Sequence, residues 1–279
     1  MTENPWFAAG IAMFAWWFFT GIILWRVRVA DNLERSGDRD AHRNSVILGF
    51  PVFAAGVALA YASIIDGSAN GTYMGFLATL ALWGWIELAF LSGVITGPNR
   101  EPCPPFAAQS DRFWRAVGTI AWHELALIAT MVILGYVSWS AENPFAFYTF
   151  ALLFFARISA KLNLFFGVPR INTQFLPRPL SHLPSHFRFA RMNPFFPVSV
   201  SVLTVATALL LERTISATTS GTTAGFALLT CLCALALLEH WFMVLPLPDE
   251  KLWRWMLPAA KTPRNIHSPA SLHEDANGL

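Results

Sequence analysis

Seven stretches of the chain are apolar, or nearly so, over the length of a membrane-crossing helix: residues 6–25, 46–65, 72–96, 116–139, 144–166, 195–211 and 223–245. Roughly 20 residues of helix cross the about 30 Å of bilayer hydrocarbon. Backbone polar groups must pair internally in lipid, which leaves helices or a closed barrel. Barrel strands are half this length and alternate apolar with polar, which these runs do not. The pattern predicts an all-α, polytopic integral membrane protein of seven transmembrane helices. Trp6, Trp25, Trp114, Trp139 and Trp241 fall at or near run ends, as an aromatic belt requires. Connections such as residues 140–143 are too short for a folded domain.

The basic residues set the expected orientation. Arg26, Arg28, Arg35, Arg39 and Arg43 follow the first run, and Arg100, Arg112 and Arg115 follow the third. Arg170, Arg178, Arg188 and Arg191 follow the fifth, and Lys251, Arg254, Lys261 and Arg264 follow the seventh. Arg213 stands alone in the connections of the opposite side. Under the positive-inside rule the N-terminus lies outside and the C-terminus in the cytoplasm. Only five residues precede the first run and none is Lys or Arg, so the sequence predicts a true first helix, not a cleaved signal.

Composition agrees with the pattern. Charged residues make up 13% of the 279, against about 25% in an ordinary soluble domain, and hydrophobic residues 55%. The net charge of +2 carries no basic patch interleaved with aromatics, so nucleic acid is not an expected partner. Cys103 lies in a Pro-rich connection, while Cys231 and Cys233, two apart on a helix, point in different directions. They form neither a disulfide framework nor a metal motif. Residues 1–257 read as one transmembrane domain with two interfacial segments. Residues 167–197 mix proline with Phe175, Leu176, Leu180, Leu183, Phe187 and Phe189, and residues 246–257 set Trp253, Trp255 and Leu257 beside Lys251 and Arg254. Residues 258–279 are polar and read as a disordered tail.

Few ionisable groups enter the apolar runs: Glu87, His123, Glu124, Arg157, Lys161, Glu239 and His240. Each is costly in lipid, about 2.5–3.5 kcal/mol on insertion scales for a charged group, and marks function or internal pairing. At 1.5 Å per residue all seven fall roughly 7–14 Å inside the basic boundary, although alternate helices run in opposite directions. They define one polar layer. Three readings stay open. The carboxylates and cations form a structural network, with Arg157 and Lys161 on one face of their helix; the layer walls a ligand site, with His123 and His240 as pigment ligands; or it holds two metals. The last needs Glu-x-x-His pairs, whereas His123–Glu124 and Glu239–His240 are adjacent. Retinal chemistry is excluded because the seventh run has no lysine. His182 and His186 have zinc spacing, but Pro184 lies between them and no third ligand is near. No catalytic residue emerges.

The runs ELAFLSGVITGP (87–98), HELALI (123–128), RISAKLNLFFGVP (157–169), FLPRPL (175–180), NPFFP (193–197) and LLEHWFMVLPLP (237–248) resemble PuhE-type photosynthetic complex assembly proteins. The resemblance covers about residues 83–257. That family belongs to the photosynthesis gene clusters of purple bacteria and their relatives. The resemblance implies an assembly factor in the bacterial inner membrane, cytoplasmic or intracytoplasmic, with reaction-centre or light-harvesting subunits as partners. It also implies modulation of bacteriochlorophyll supply, which makes bacteriochlorophyll or a precursor the candidate ligand. Thr173, Gln174, His182 and His186 stand where the family pattern has acidic residues and a tyrosine-bearing helix. The rival expectation is a tetrapyrrole- or metal-binding membrane protein or enzyme of bacteriochlorophyll biosynthesis. A transporter is the weakest, since no internal repeat is visible.

Overall fold

The computed structural model describes residues 4–246 and contains seven long helices: α1 Pro5–Arg35, α2 Ala41–Ser63, α3 Ala69–Leu91, α4 Gln109–Ser138, α5 Phe145–Phe166, α6 Phe195–Ser216 and α7 Ser220–Phe242. All seven are long and apolar enough to cross a membrane. The chain is a multi-pass membrane protein. The interfacial segment expected at 246–257 and the tail at 258–279 lie, except for Pro246, outside the described residues.

The helix starts follow local chemistry. Asn4 caps α1 by accepting from the Trp6 N–H, with Pro5 in the first turn. Ser68 caps α3, and Thr219 with Thr222 forms a capping box at α7. The ends depart from the apolar runs where polar residues still favour helix. α1 continues through the basic stretch to Arg35, and α4 begins seven residues before the expected 116, at Gln109. α3 stops early, at Leu91, because Gly93 turns the chain at φ +72°, a conformation nearly reserved for glycine.

α3 is the central post. It packs against α1, α2, α4, α5 and α7, and 72% of its most apolar window is buried, against 17% for the outer α6. One apolar cluster joins α1, α3 and α7 through Ala8, Ala12, Ala15, Phe76, Leu80 and Leu228. A second joins α2, α3, α4 and α5 through Ala60, Ala78, Leu82, Leu127, Phe150 and Phe154. The buried residues that α1 gives to the first are all alanines, which lets helix backbones approach closely where burial alone gives no drive in lipid.

Residues 167–194 form a strap folded across the ends of the helices. It contains three 3₁₀ turns, Thr173–Phe175, Arg178–Leu180 and Leu183–His186, and is closed by a bridge between Val168 and Phe189. It is not a loose surface stretch, because Leu180 and Leu183 pack on Phe90 of α3. Asn193 anchors its far end: its amide donates to the Gly167 carbonyl (2.8 Å) and Asn163 Oδ1 (3.1 Å), and its Oδ1 accepts from the Phe195 and Phe196 N–H groups. Replacing Asn193 with Ala strands buried acceptors and uncaps α6. We expect a loss of about 2–3 kcal/mol of stability, read as a lower midpoint of thermal unfolding in detergent.

Candidate functional site: a polar-walled cavity between the helices

A cavity of about 950 Å³ lies between α1, α3, α4, α5, α7 and the strap. Its walls are mainly apolar and aromatic: Phe19, Leu80, Trp83, Phe90, Ile120, Leu152, Phe165, Leu232 and Phe242 among others. Five charged groups of the expected polar layer, Glu87, Glu124, Arg157, Lys161 and Glu239, line it together. Ligand pockets are typically about 300–1,000 Å³ and largely apolar, with a few placed polar groups.

Their pairings follow from how α3, α4, α5 and α7 face one another. Arg157 Nη2 donates to Glu87 Oε2 at 3.1 Å. Lys161, one turn further along α5, donates to Glu124 Oε1 and lies 5.8 Å from the Phe90 ring. Among the described residues no cation lies within 4 Å of the Glu239 carboxylate, whose Oε1 accepts from the Trp16 indole at 2.9 Å. The Arg157 side chain lines the cavity and remains 41% exposed, although its unpaired Nε is buried. Cationic and acceptor groups thus share one level of an otherwise apolar chamber.

The two in-span histidines are placed differently, and neither lines the cavity. His240 is saturated. Its Nδ1 lies 2.8 Å from the Ala236 carbonyl, so it donates, and its Nε2 then accepts from the Ser159 hydroxyl at 2.9 Å. His123 is fully buried against Phe90, ring centroids 4.3 Å apart, with Glu87 Oε1 at 3.8 Å. His240 therefore has no free lone pair, whereas both ring nitrogens of His123 lack a hydrogen-bond partner. The backbone around His123 is unusual. The Thr96 carbonyl accepts from Trp122 and His123 of α4, and the Asn99 N–H donates to the Gly118 carbonyl. A Cβ on Gly97 would sit 2.0 Å from that carbonyl, so only glycine permits this approach.

The strap closes the basic end of the cavity with Arg170, Phe175, Leu176, Leu183, His186 and Phe187. Arg112 of α4 fixes it, donating to the carbonyls of Phe165 (2.8 Å) and His186 (3.1 Å) while its guanidinium stacks on the Phe165 ring. On the far side Arg28 donates to the Gln174 carbonyl. Asp31 accepts from the Arg178 N–H and Arg178 Nη1 lies 3.3 Å from Glu34. Asp31, Glu34 and His42 bring potential metal-ligand atoms within 4.8 Å of one another, but Arg178 already answers both carboxylates. That cluster is a clamp for the strap. Burial pushes the His182 and His186 imidazoles below their usual range, so both stay neutral at pH 7.

The model of the family described as "Protein of unknown function (DUF3623)" matches residues 1–264. The chain belongs to this family. A relative in Rhodobacter capsulatus, described as "Uncharacterized 30.4 kDa protein in puhA 5'region", is 58% identical over 261 residues, 94% of each chain. No solved structure matches.

Trp16, Ser159, Asn163, Asn193 and Arg112 escaped the sequence reading because each acts through a partner far along the chain. Asn193 carried a signal, an Asn-Pro step immediately before an apolar run. His182 and His186 carry zinc spacing with Pro184 between them, and among the described residues no third metal ligand joins them. The structure accommodates that proline at the start of a 3₁₀ turn, where its missing N–H costs nothing.

Proposed function

We propose that this protein is an assembly factor for the bacterial photosynthetic reaction-centre/light-harvesting complex. In this role it holds a bacteriochlorophyll-type tetrapyrrole in the cavity and so modulates pigment supply to nascent subunits. The observation that carries the proposal is the cavity itself: about 950 Å³, apolar on most sides, with Arg157, Lys161 and Glu239 at one level. A large planar apolar ring with polar substituents fits such walls. Trp83, Phe90 and Phe165 offer aromatic faces, and Arg157 offers free donors for carbonyl oxygens. The relative's name, which sets it in the puhA 5' region, and the resemblance to PuhE-type proteins support a photosynthetic setting.

Within this reading the chain's own residues bind, orient and shield. The Glu87–Arg157 and Glu124–Lys161 pairs hold the cations in place and lower the cost of desolvating them when a ligand enters. The strap covers the end of the chamber. When bound, the tetrapyrrole would supply light absorption and a metal centre to its eventual acceptor; the protein supplies no bond-making step.

The test is growth under phototrophic conditions followed by mild-detergent purification. Reaction-centre or light-harvesting subunits should co-purify, and cells lacking the gene should accumulate less assembled complex at unchanged subunit synthesis. Normal complex levels in those cells contradict an assembly role.

The proposed orientation, N-terminus outside and C-terminus cytoplasmic, has its own check. A reporter active only outside the cytoplasm should work near Asp66, Glu142 or Gly221 and fail near Asp38 or Arg178. Activity at Asp38 or Arg178 contradicts it.

A further inference from the structure

Among the described residues the cavity wall carries three carboxylates, Glu87, Glu124 and Glu239, and of these Glu239 alone is exposed. It lies on the face of α7 that also holds Leu232 and Ala236, seven and three residues before it, and both line the cavity. The exposed Ala234, Leu238 and Trp241 occupy a different face of the helix. The open surface of Glu239 therefore belongs to the chamber.

Its carboxylate is held at one oxygen. Oε1 accepts from the Trp16 indole at 2.9 Å, and Oε2 has no hydrogen-bond partner among the described residues. Arg157 answers Glu87 and Lys161 answers Glu124, whereas no cation among the described residues lies within 4 Å of Glu239. Trp16 is itself fixed, because it packs on the apolar cluster that joins α1, α3 and α7. The indole thus sets the direction of the carboxylate and leaves the second oxygen for a guest. An ionisable group inside a span is costly, and one without a partner of opposite charge marks a functional position.

A carboxylate oriented by an outer hydrogen bond is a common oxygen ligand of a hard divalent metal. The magnesium of a bacteriochlorophyll is such a metal, and its four ring nitrogens leave an axial position that takes an oxygen donor. The imidazoles offer no rival ligand. His123 and His240 do not line the cavity, and the unpaired Nε2 of His186 is buried.

We infer that Glu239 Oε2 is the axial ligand of the magnesium of the tetrapyrrole, with Trp16 as the residue that positions it. This rests on the pigment-holding function proposed above. The charge of the carboxylate is then offset by the metal and not by a side chain.

The test uses the full chain in detergent, titrated by absorption with bacteriochlorophyll a and, separately, with its metal-free counterpart, bacteriopheophytin a. Wild type should bind the magnesium-bearing pigment at least about tenfold tighter, the scale on which losses at a metal site are read. Glu239→Ala should erase that preference while keeping affinity for the metal-free pigment. Glu239→Leu, which suits an apolar wall and presents no oxygen, should give the same loss and serves if Glu239→Ala folds poorly. Trp16→Phe keeps the carboxylate but removes the donor that aims it, and should weaken the preference in part. Equal binding of both pigments by wild type, a preference for the metal-free one, or an undiminished preference in the Glu239 variants overturns the ligand assignment while leaving pigment binding intact. Failure of wild type to bind either pigment overturns the proposed function with it.

Discussion

Replacing Arg157 with Leu should sharply lower the amount of folded protein in the membrane. Among the described residues, Arg157 Nη2 is the one hydrogen-bond partner of the Glu87 carboxylate, which is itself 7% exposed. Its other oxygen, Oε1, has no hydrogen bond and faces His123 at 3.8 Å. Removing the cation leaves a buried carboxylate uncompensated. Breaking such a pair costs about 3–5 kcal/mol, and the partial exposure of Arg157 to the cavity sets the expectation near about 3 kcal/mol. The companion substitution Glu87→Gln removes the stranded charge and gives His123 an amide to bond. The double variant should recover most of the loss, as thermal unfolding in detergent would record. If the single and double variants accumulate like the parent, Glu87 is solvated through the cavity and the pair is not structural.

Filling the cavity should abolish ligand retention without unfolding the protein. Ala156 on α5 and Ala236 on α7 both line the chamber. Ala156→Phe and Ala236→Phe each place a ring in the space where a ligand would lie, not in a packed helix contact. Stability should change within about 1 kcal/mol. Ligand content should fall at least about tenfold, a loss of about 1.4 kcal/mol or more in affinity. Retention of ligand by both variants, at parental stability, would place the binding surface elsewhere.

The two results together separate what the charged level does for the fold from what the cavity does for function. The helices could be read from the chain because lipid imposes one solution on a long apolar run. Their ends could not, because α1 beyond Trp25 and α4 before Ala116 are amphipathic helix carrying arginines outside the apolar run. The presence of Glu87, Glu124, Arg157, Lys161 and Glu239 at one level follows from counting residues along each run. Which carboxylate meets which cation depends on the rotation of each helix about its axis, which only packing sets. Glu239 illustrates this: balance of charge suggests a cation, and the structure gives it Trp16. His123 and His240 stood out as imidazoles in apolar surroundings, yet His240 spends both nitrogens on Ser159 and Ala236. A strap's path is set by pins such as Arg112 and Asn193 and not by any period in its sequence.

The most direct measurement is the absorption spectrum of the wild-type protein, purified in mild detergent from phototrophically grown cells and compared with Ala156→Phe. We expect wild type to carry tetrapyrrole absorption in near-stoichiometric amount and the cavity-filled variant to be colourless at the same yield. A folded wild-type protein free of tetrapyrrole, or pigment retained equally by the filled variant, would contradict the claim that this cavity holds it.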